Sequence, residues 1–309
     1  MFKNITVSLE ELIEVGFSSN GINFLPQNNI NSVLSGRHAS KLRGRGMDFL
    51  ELKSYVLGDD LRHIDWKATR RSNKTYVRVY NEERDRVVHI VLSQQSNMFF
   101  ASRGTFKSVQ AAKLASMILH TTLKAGDRVA TLIFDDKEVY NFSSSKSKKK
   151  SMQILQKISE LNIQLLKHEQ KSNPKMLNNA LDLLLSQVKH DDLIIIIGDG
   201  SGLDEESQHK ITTLSAHNDV IAAFVYDEME MNLPKEESLL FKKDSDFLEL
   251  NAKEKSLQKR YTELTQAKKE HLKELSLLQR IPLLEINTHQ ELLPQVQIQL
   301  GFINRAKQR

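Results

Sequence analysis

No cysteine occurs among the 309 residues. Disulfides, thiolate nucleophiles and cysteine-ligated zinc or iron–sulfur centres are all excluded by that one absence, and a reducing compartment suits it. Long apolar runs are also missing. The densest, Leu193 to Ile197, falls far short of the ~20 residues that a membrane helix needs. The stretch Met1 to Ser19 contains Glu10, Glu11 and Glu14 and no extended apolar segment, so it does not read as a signal peptide. A cytoplasmic protein that does not cross a membrane is the expectation. Tryptophan occurs once, at Trp66. What is present, 39% hydrophobic and 27% charged residues, is the balance of a globular chain able to bury a core without staples.

The formal net charge is +5, and it is local. Between Ser35 and Arg86 stand 13 Lys or Arg against 8 Asp or Glu, which accounts for the whole excess. Each cation there has an anion nearby in sequence. Such mixing points to ion-pair networks or a protein-binding surface more than to a groove that tracks phosphates.

Hydropathy patterning divides the chain near residue 86. Before it, Ile5 to Val15 has helical spacing with a capping box at Ser8 and Glu11, followed by polar loop and the charged segment. After it, strands and helices alternate. Val87–Leu92, Arg128–Phe134, Leu193–Ile197 and Asp219–Val225 read as strands. Glu138 to Phe142 reads as an antiparallel edge strand, and Ser143 to Ser151, only serine and lysine, as an exposed loop. Helices are expected over Lys107–Lys124, Met152–Leu161 and Pro174–Lys189. A long one is expected over Asn251–Arg280, with Leu257, Tyr261, Leu264, Leu272, Leu275 and Leu278 on one stripe. Pro282–Ile286 and Glu291–Leu300 close the chain as strand and helix. The run Leu193–Ile197 is apolar without alternation, as an interior strand buried on both faces must be. The fold class is therefore α/β, a mostly parallel sheet covered by helices, with residues 1–86 as an N-terminal segment and 87–309 as the α/β domain.

The charged segment carries a motif. Gly44-Arg-Gly-Met-Asp-Phe49 is followed by Leu52-Lys-Ser-Tyr55, Gly58-Asp-Asp60, Arg62, Ile64-Asp-Trp66, Arg70 and Tyr76-Val-Arg78. These residues, with Arg45 and the run Gly58, Asp59, Asp60, Arg62, Asp65, Trp66, resemble the signature of the bacterial domain of unknown function 58 family. Phe106-Lys-Ser108, Gly126-Asp-Arg-Val129 and the Asp227, Glu230, Leu233, Pro234 stretch agree with it. The resemblance implies a von Willebrand A-like domain. It also implies a role beside a MoxR-type AAA+ ATPase, since the family's genes usually neighbour one.

A von Willebrand A-like domain holds a divalent cation with an Asp-x-Ser-x-Ser loop after its first strand and with a threonine and an aspartate from later loops. Here the loop positions read Ser93, Gln95 and Asn97. No matching threonine occurs around Lys171 to Lys175, and only Asp199 fits. With the loop carboxylate missing, neutral amides compete poorly with water for Mg²⁺. The expectation is no cofactor and no metal. Gly198-Asp-Gly-Ser-Gly202 fails the spacing of a dinucleotide or phosphate loop and reads as a tight strand-to-helix turn. The Asp59, Asp60, His63, Asp65 cluster reads as a structural network with Arg62, Arg70 and Arg78. In that reading Gly58 supplies a turn and Trp66 anchors the segment on the core. His89, in an apolar strand, reads as a satisfied core histidine.

The functional expectation is a non-catalytic adaptor that binds a MoxR-type AAA+ ATPase, and through it client proteins. Phe99, Phe100, Arg103 and Asp199 are its candidate contact residues. The alternatives are a metal-dependent hydrolase using Asp199 or the Asp59–Asp65 cluster, and a nucleic-acid or anionic-lipid binder through Arg37, Lys41, Arg43 and Arg45.

Overall fold

Apolar strands that alternate with amphipathic helices can bury both surfaces only by stacking in layers, and the chain does so. In the computed structural model the chain forms two compact units, residues 1–35 with 86–309, and residues 36–85. The structure describes residues 2–19, 21, 22, 24, 47–56, 59–72, 74–82, 86–167, 172–231, 238–243, 246–251 and 281–300, together with 265, 270, 274, 276, 277 and 279.

In chain order the elements are β1 (Phe2–Asn4), α1 (Leu9–Ser18), β2 (Met47–Ser54), α2 (Trp66–Ser72), β3 (Tyr76–Glu82), β4 (Val87–Ser93), β5 (Gly104–Thr105) and α3 (Lys107–Lys124). There follow β6 (Arg128–Phe134), β7 (Val139–Ser145), α4 (Lys148–Gln164), α5 (Lys175–Gln187), β8 (Leu193–Gly198), α6 (Glu205–Ser215) and β9 (Asp219–Tyr226). The last are α7 (Glu228–Met231), β10 (Ser238–Lys243), β11 (Asp246–Asn251), β12 (Leu283–Asn287) and α8 (Leu292–Gln299).

The larger unit is built on a six-stranded sheet of order β12-β9-β8-β4-β6-β7. Its strands are parallel except for β7, which runs antiparallel at one edge. β8 lies inside the sheet, as its uniform apolarity demands, and Leu193, Ile194, Ile195 and Ile197 are all buried. Two apolar layers enclose the sheet. One centres on α3, whose Leu114, Met117 and Ile118 pack with Ile90, Leu92 and Ile195. The other centres on α5, whose Met176, Ala180, Leu181 and Leu184 pack with Val91, Leu132 and Ile194.

Residues 1–35 belong with this unit rather than with the charged segment, so the expected 1–86 division holds only at its far end. The capping box at Ser8 and Glu11 starts α1, and Leu12 is fully buried in the α3 layer. Ser116 donates to the Leu12 carbonyl at 2.6 Å, and the Val7 amide donates to Asn162 at 2.9 Å. Amphipathic α1 needs a partner for its apolar stripe, and α3 provides it.

The stretch read as a loop, Ser143 to Ser151, is shared between the end of β7 and the start of α4. Ser145 pairs through the backbone with Val129 along the sheet edge, which side-chain chemistry does not announce. Asn251 ends a hairpin strand, β11, paired antiparallel with β10. Most of the expected long helix to Arg280, including its apolar stripe, lies outside the described residues.

The smaller unit holds β2 and β3, an antiparallel pair from Met47↔Glu82 to Ser54↔Tyr76. Between them Asp65 caps α2 by accepting from the Lys67 and Ala68 amides at 2.9 and 3.0 Å. Trp66 is 70% exposed, which overturns the expected anchoring role. A two-stranded ribbon has too little interior to cover an indole, and α2 buries none of its residues.

Candidate functional site

In a parallel sheet of this kind the carboxyl ends of the strands open a crevice where the strand order reverses. The chain leaves β4 toward β6 on one side and returns to β8 on the other, so the reversal lies between β4 and β8. The loops after these strands meet there. Asn97 donates its amide to both oxygens of Asp199 at 3.0 Å, and the Ser201 amide donates to Asp199 Oδ1 at 3.0 Å. Gly200 and Gly202 take positive φ values of 75° and 82°, and the second passes so close to the Pro174 carbonyl that a Cβ would collide with it. The Gly198–Gly202 stretch is thus the expected tight turn.

A third group completes the cluster. Lys107, the first residue of α3, is fully buried, and its ammonium lies 3.0 Å from Asp199 Oδ2 and 2.6 Å from Glu230 Oε1. Its Nζ also stands 6.0 Å from the centre of the Phe100 ring. Burial, the largest influence, opposes the charge, yet Asp199 and Glu230 together hold the pKa above the ordinary lysine value. The ammonium therefore stays charged, fixed between two carboxylates.

This arrangement bears directly on the divalent metal that the resemblance implies. Ser93 is buried at the end of β4. Gln95 donates to the Asn173 carbonyl at 2.8 Å and to Asp136 at 3.3 Å. Asn97 and Lys107 both donate to Asp199. The one matching carboxylate faces an ammonium and an amide, and a dication placed beside a buried ammonium would be repelled by it. The residues present do not fit a divalent metal.

A second polar cluster ties the neighbouring loops together. Asp227, fully buried after β9, accepts from the Ser102 amide at 2.9 Å, Ser102 Oγ at 2.6 Å and Thr288 Oγ1 at 2.5 Å. Burial, again the largest influence, raises the Asp227 pKa, but these donors outweigh it and hold the carboxyl below its ordinary range. His289 Nε2 lies 2.9 Å from Ser102 Oγ, and its Nδ1 lies 2.9 Å from Glu228 Oε2. The spacing is that of a serine–histidine–carboxylate relay, but the Ser102 proton is directed at Asp227 rather than at the imidazole. In this geometry Ser102 ties its loop to Asp227. Gly104 makes it possible: at φ +79° a Cβ would lie 2.5 Å from the Thr288 carbonyl. Arg103, 69% exposed along its side chain, reaches Glu228 at 3.3 Å and His289 at 3.1 Å.

The sequence profile described as "Protein of unknown function DUF58" matches residues 51–271. The chain belongs to the DUF58 family. Uncharacterized proteins of Mycobacterium tuberculosis and Mycobacterium bovis are each 22% identical to this DUF58 chain over 205 residues, 66% of it and 63% of each relative. The chain thus spans less than two thirds of the length of the curated relatives it matches. Among solved structures, the conserved hypothetical protein BatB from Bacteroides thetaiotaomicron is 13% identical, with a TM-score of 0.44, over 72% of this chain and 99% of that one. Proximal thread matrix protein 1 from the mussel byssus is 13% identical, with a TM-score of 0.29, over 46% of this chain and 38% of that one.

The predicted residues are dispersed. Asn97 and Asp199 meet, and Gln95 and Ser93 flank them. Phe99 packs against Phe106 with the rings tilted by 46° and their centres 4.8 Å apart, and it is half-buried, as is Phe100, whereas Arg103 stays exposed. In the signature run Asp59 pairs with Lys53 at 2.7 Å, Asp60 with Arg62 at 3.1 Å and Asp65 with Arg78 at 2.9 Å. Among the described residues Arg70 makes no ion pair, so the expected network forms without it. Arg45 and Gly58 lie outside the described residues, as do Arg37, Lys41 and Arg43. His89 is buried and bonded to Asp192 at 3.0 Å, as a core histidine should be. Sequence reasoning did not assign Lys107, Ser102, Asp227, Glu230 and His289 to the site. Lys107, Asp227 and Glu230 all fall in stretches that matched the family pattern, and that coincidence was the available signal.

Proposed function

We propose that this DUF58 chain is a non-catalytic, cytoplasmic protein-binding adaptor of von Willebrand A-like fold. Its contact face is the carboxyl edge of the sheet, and its partner is a MoxR-type AAA+ ATPase. The observation that carries this reading is the Lys107 ammonium held between Asp199 and Glu230. The carboxylate that would hold a metal is engaged by an internal cation, so the surface around it is left to make contacts through side chains. The resemblance noted for the signature run supports the ATPase as partner. The metal-dependent hydrolase alternative would need Asp199 as a ligand, and Asp199 is engaged by Lys107 and Asn97.

The test is calorimetric titration of the whole chain with the ATPase encoded beside it, with and without nucleotide. Arg103→Ala should weaken binding by ~10-fold or more, as arginines at interface centres do, with a melting temperature near wild type. Binding of the nucleotide-free ATPase should be indifferent to a chelator. Normal binding by Arg103→Ala would remove the loop face from the interface, and a chelator-sensitive turnover activity abolished by Asp199→Ala would favour the hydrolase.

A further inference from the structure

The smaller unit presents a second surface, which the sheet-edge reading does not use. Three apolar side chains within eleven residues face solvent there: Val56 at 64%, Leu61 at 62% and Trp66 at 70% exposure. The charges around them are unequal in a way the sequence does not reveal. All three aspartates of the stretch are engaged internally, Asp59 by Lys53 and the Val56 amide, Asp60 by Arg62, and Asp65 by Arg78 and two amides of α2. By contrast Lys67, Arg70, Arg71 and Lys74 are exposed and, among the described residues, make no ion pair. Between residues 52 and 78 the anions are thus all paired while, among the described residues, four cations are not, and the same short unit exposes an indole and two aliphatic side chains.

We infer that this surface docks an acidic protein segment that carries apolar anchors. Tryptophan and arginine are the side chains that most often dominate interface energy, and four available cations demand carboxylates opposite them. The aliphatic Val56 and Leu61 favour a peptide over a nucleic acid, whose bases call for stacking platforms rather than branched side chains.

Because the chain has one tryptophan, its fluorescence reports on the site directly. The full chain is titrated with a synthetic peptide in which leucine and phenylalanine are flanked by glutamates. The emission of Trp66 should shift to the blue and become protected from acrylamide. Arg70→Glu with Arg71→Glu should lower the affinity ~10-fold or more, and calorimetry of Trp66→Ala should show a comparable loss at an unchanged melting temperature. Four results would overturn the inference: a tryptophan already shielded from acrylamide in the free chain, no spectral change with the acidic peptide, an equal response to a peptide with lysines in place of the glutamates, or tighter binding of a short oligothymidylate. None of these touches Arg103, so failure here is distinguishable from failure at the sheet edge.

Discussion

At the scale of the residue, Lys107 decides what the sheet edge can do. Breaking a buried ion pair by removing one partner costs about 3–5 kcal/mol, because the remaining charges lose their compensation. Lys107→Met should therefore destabilise strongly, and adding Asp199→Asn should recover part of the loss, since the two sites share one network. Denaturant unfolding of the single and double variants checks both. The pH dependence follows from two shifts of opposite sign. The folded pKa of Lys107 is raised, so its contribution is present below 10.5 and is lost as pH climbs through the folded value. That of Asp227 is depressed, so its contribution is present above 3.8 and is lost as pH falls through the folded value. Melting temperatures across pH should fall at both ends in the wild type, and Lys107→Met should lose the alkaline fall. The sequence makes Asn97 and Asp199 legible because they occupy positions of a known loop pattern. It hides Lys107, because a lysine opening an amphipathic helix reads as solvated. Its carboxylates stand 92 and 123 residues away, and only the topology brings them to it.

At the scale of the element, what was legible is what hydropathy controls. β4, β6, β8 and β9 sit where their apolar runs place them, because a strand buried on both faces has no polar alternative. Ile195, fully buried in the α3 layer, should then cost about 2–5 kcal/mol as Ile195→Ala, measured by denaturant unfolding. Illegible elements are those held mainly by backbone pairing. Ser143–Ser145 joins the sheet through an antiparallel register ending at Val129↔Ser145, with no apolar pattern to mark it. The β2–β3 ribbon carries charges along its length, so its sequence resembles a loop, and Arg78 of β3 is tied instead to Asp65 in the connection between the strands. For the short α1 the cap is the legible feature. Ser8→Ala removes an acceptor for the Glu11 amide at 3.2 Å and should cost about 1 kcal/mol.

At the scale of the whole molecule, the pattern change near residue 86 suggested a boundary between an N-terminal segment and a domain, and the structure divides that segment in two. Val7, Leu12, Ile22 and Phe24 all belong to the α3 layer. A buried polar chain reinforces the tie. The Val7 amide donates to Asn162, Asn162 donates to Gln94 at 3.0 Å, and Gln94 donates to the Ser108 carbonyl at 3.0 Å. It runs from the N-terminal segment to the loop after β4, where the candidate contact face begins. Removing residues 1–35 would uncover that layer and leave Asn162 without its backbone donor, a cost on the scale of the ~5–15 kcal/mol that holds a domain together. Replacing 36–85 with a flexible linker removes none of these contacts. The first deletion should abolish cooperative melting, and the second should leave a single transition near that of the full chain. If instead the linker variant melts without cooperativity, the charged segment is part of the folding unit, and its exposed tryptophan is not a surface held in reserve for a partner.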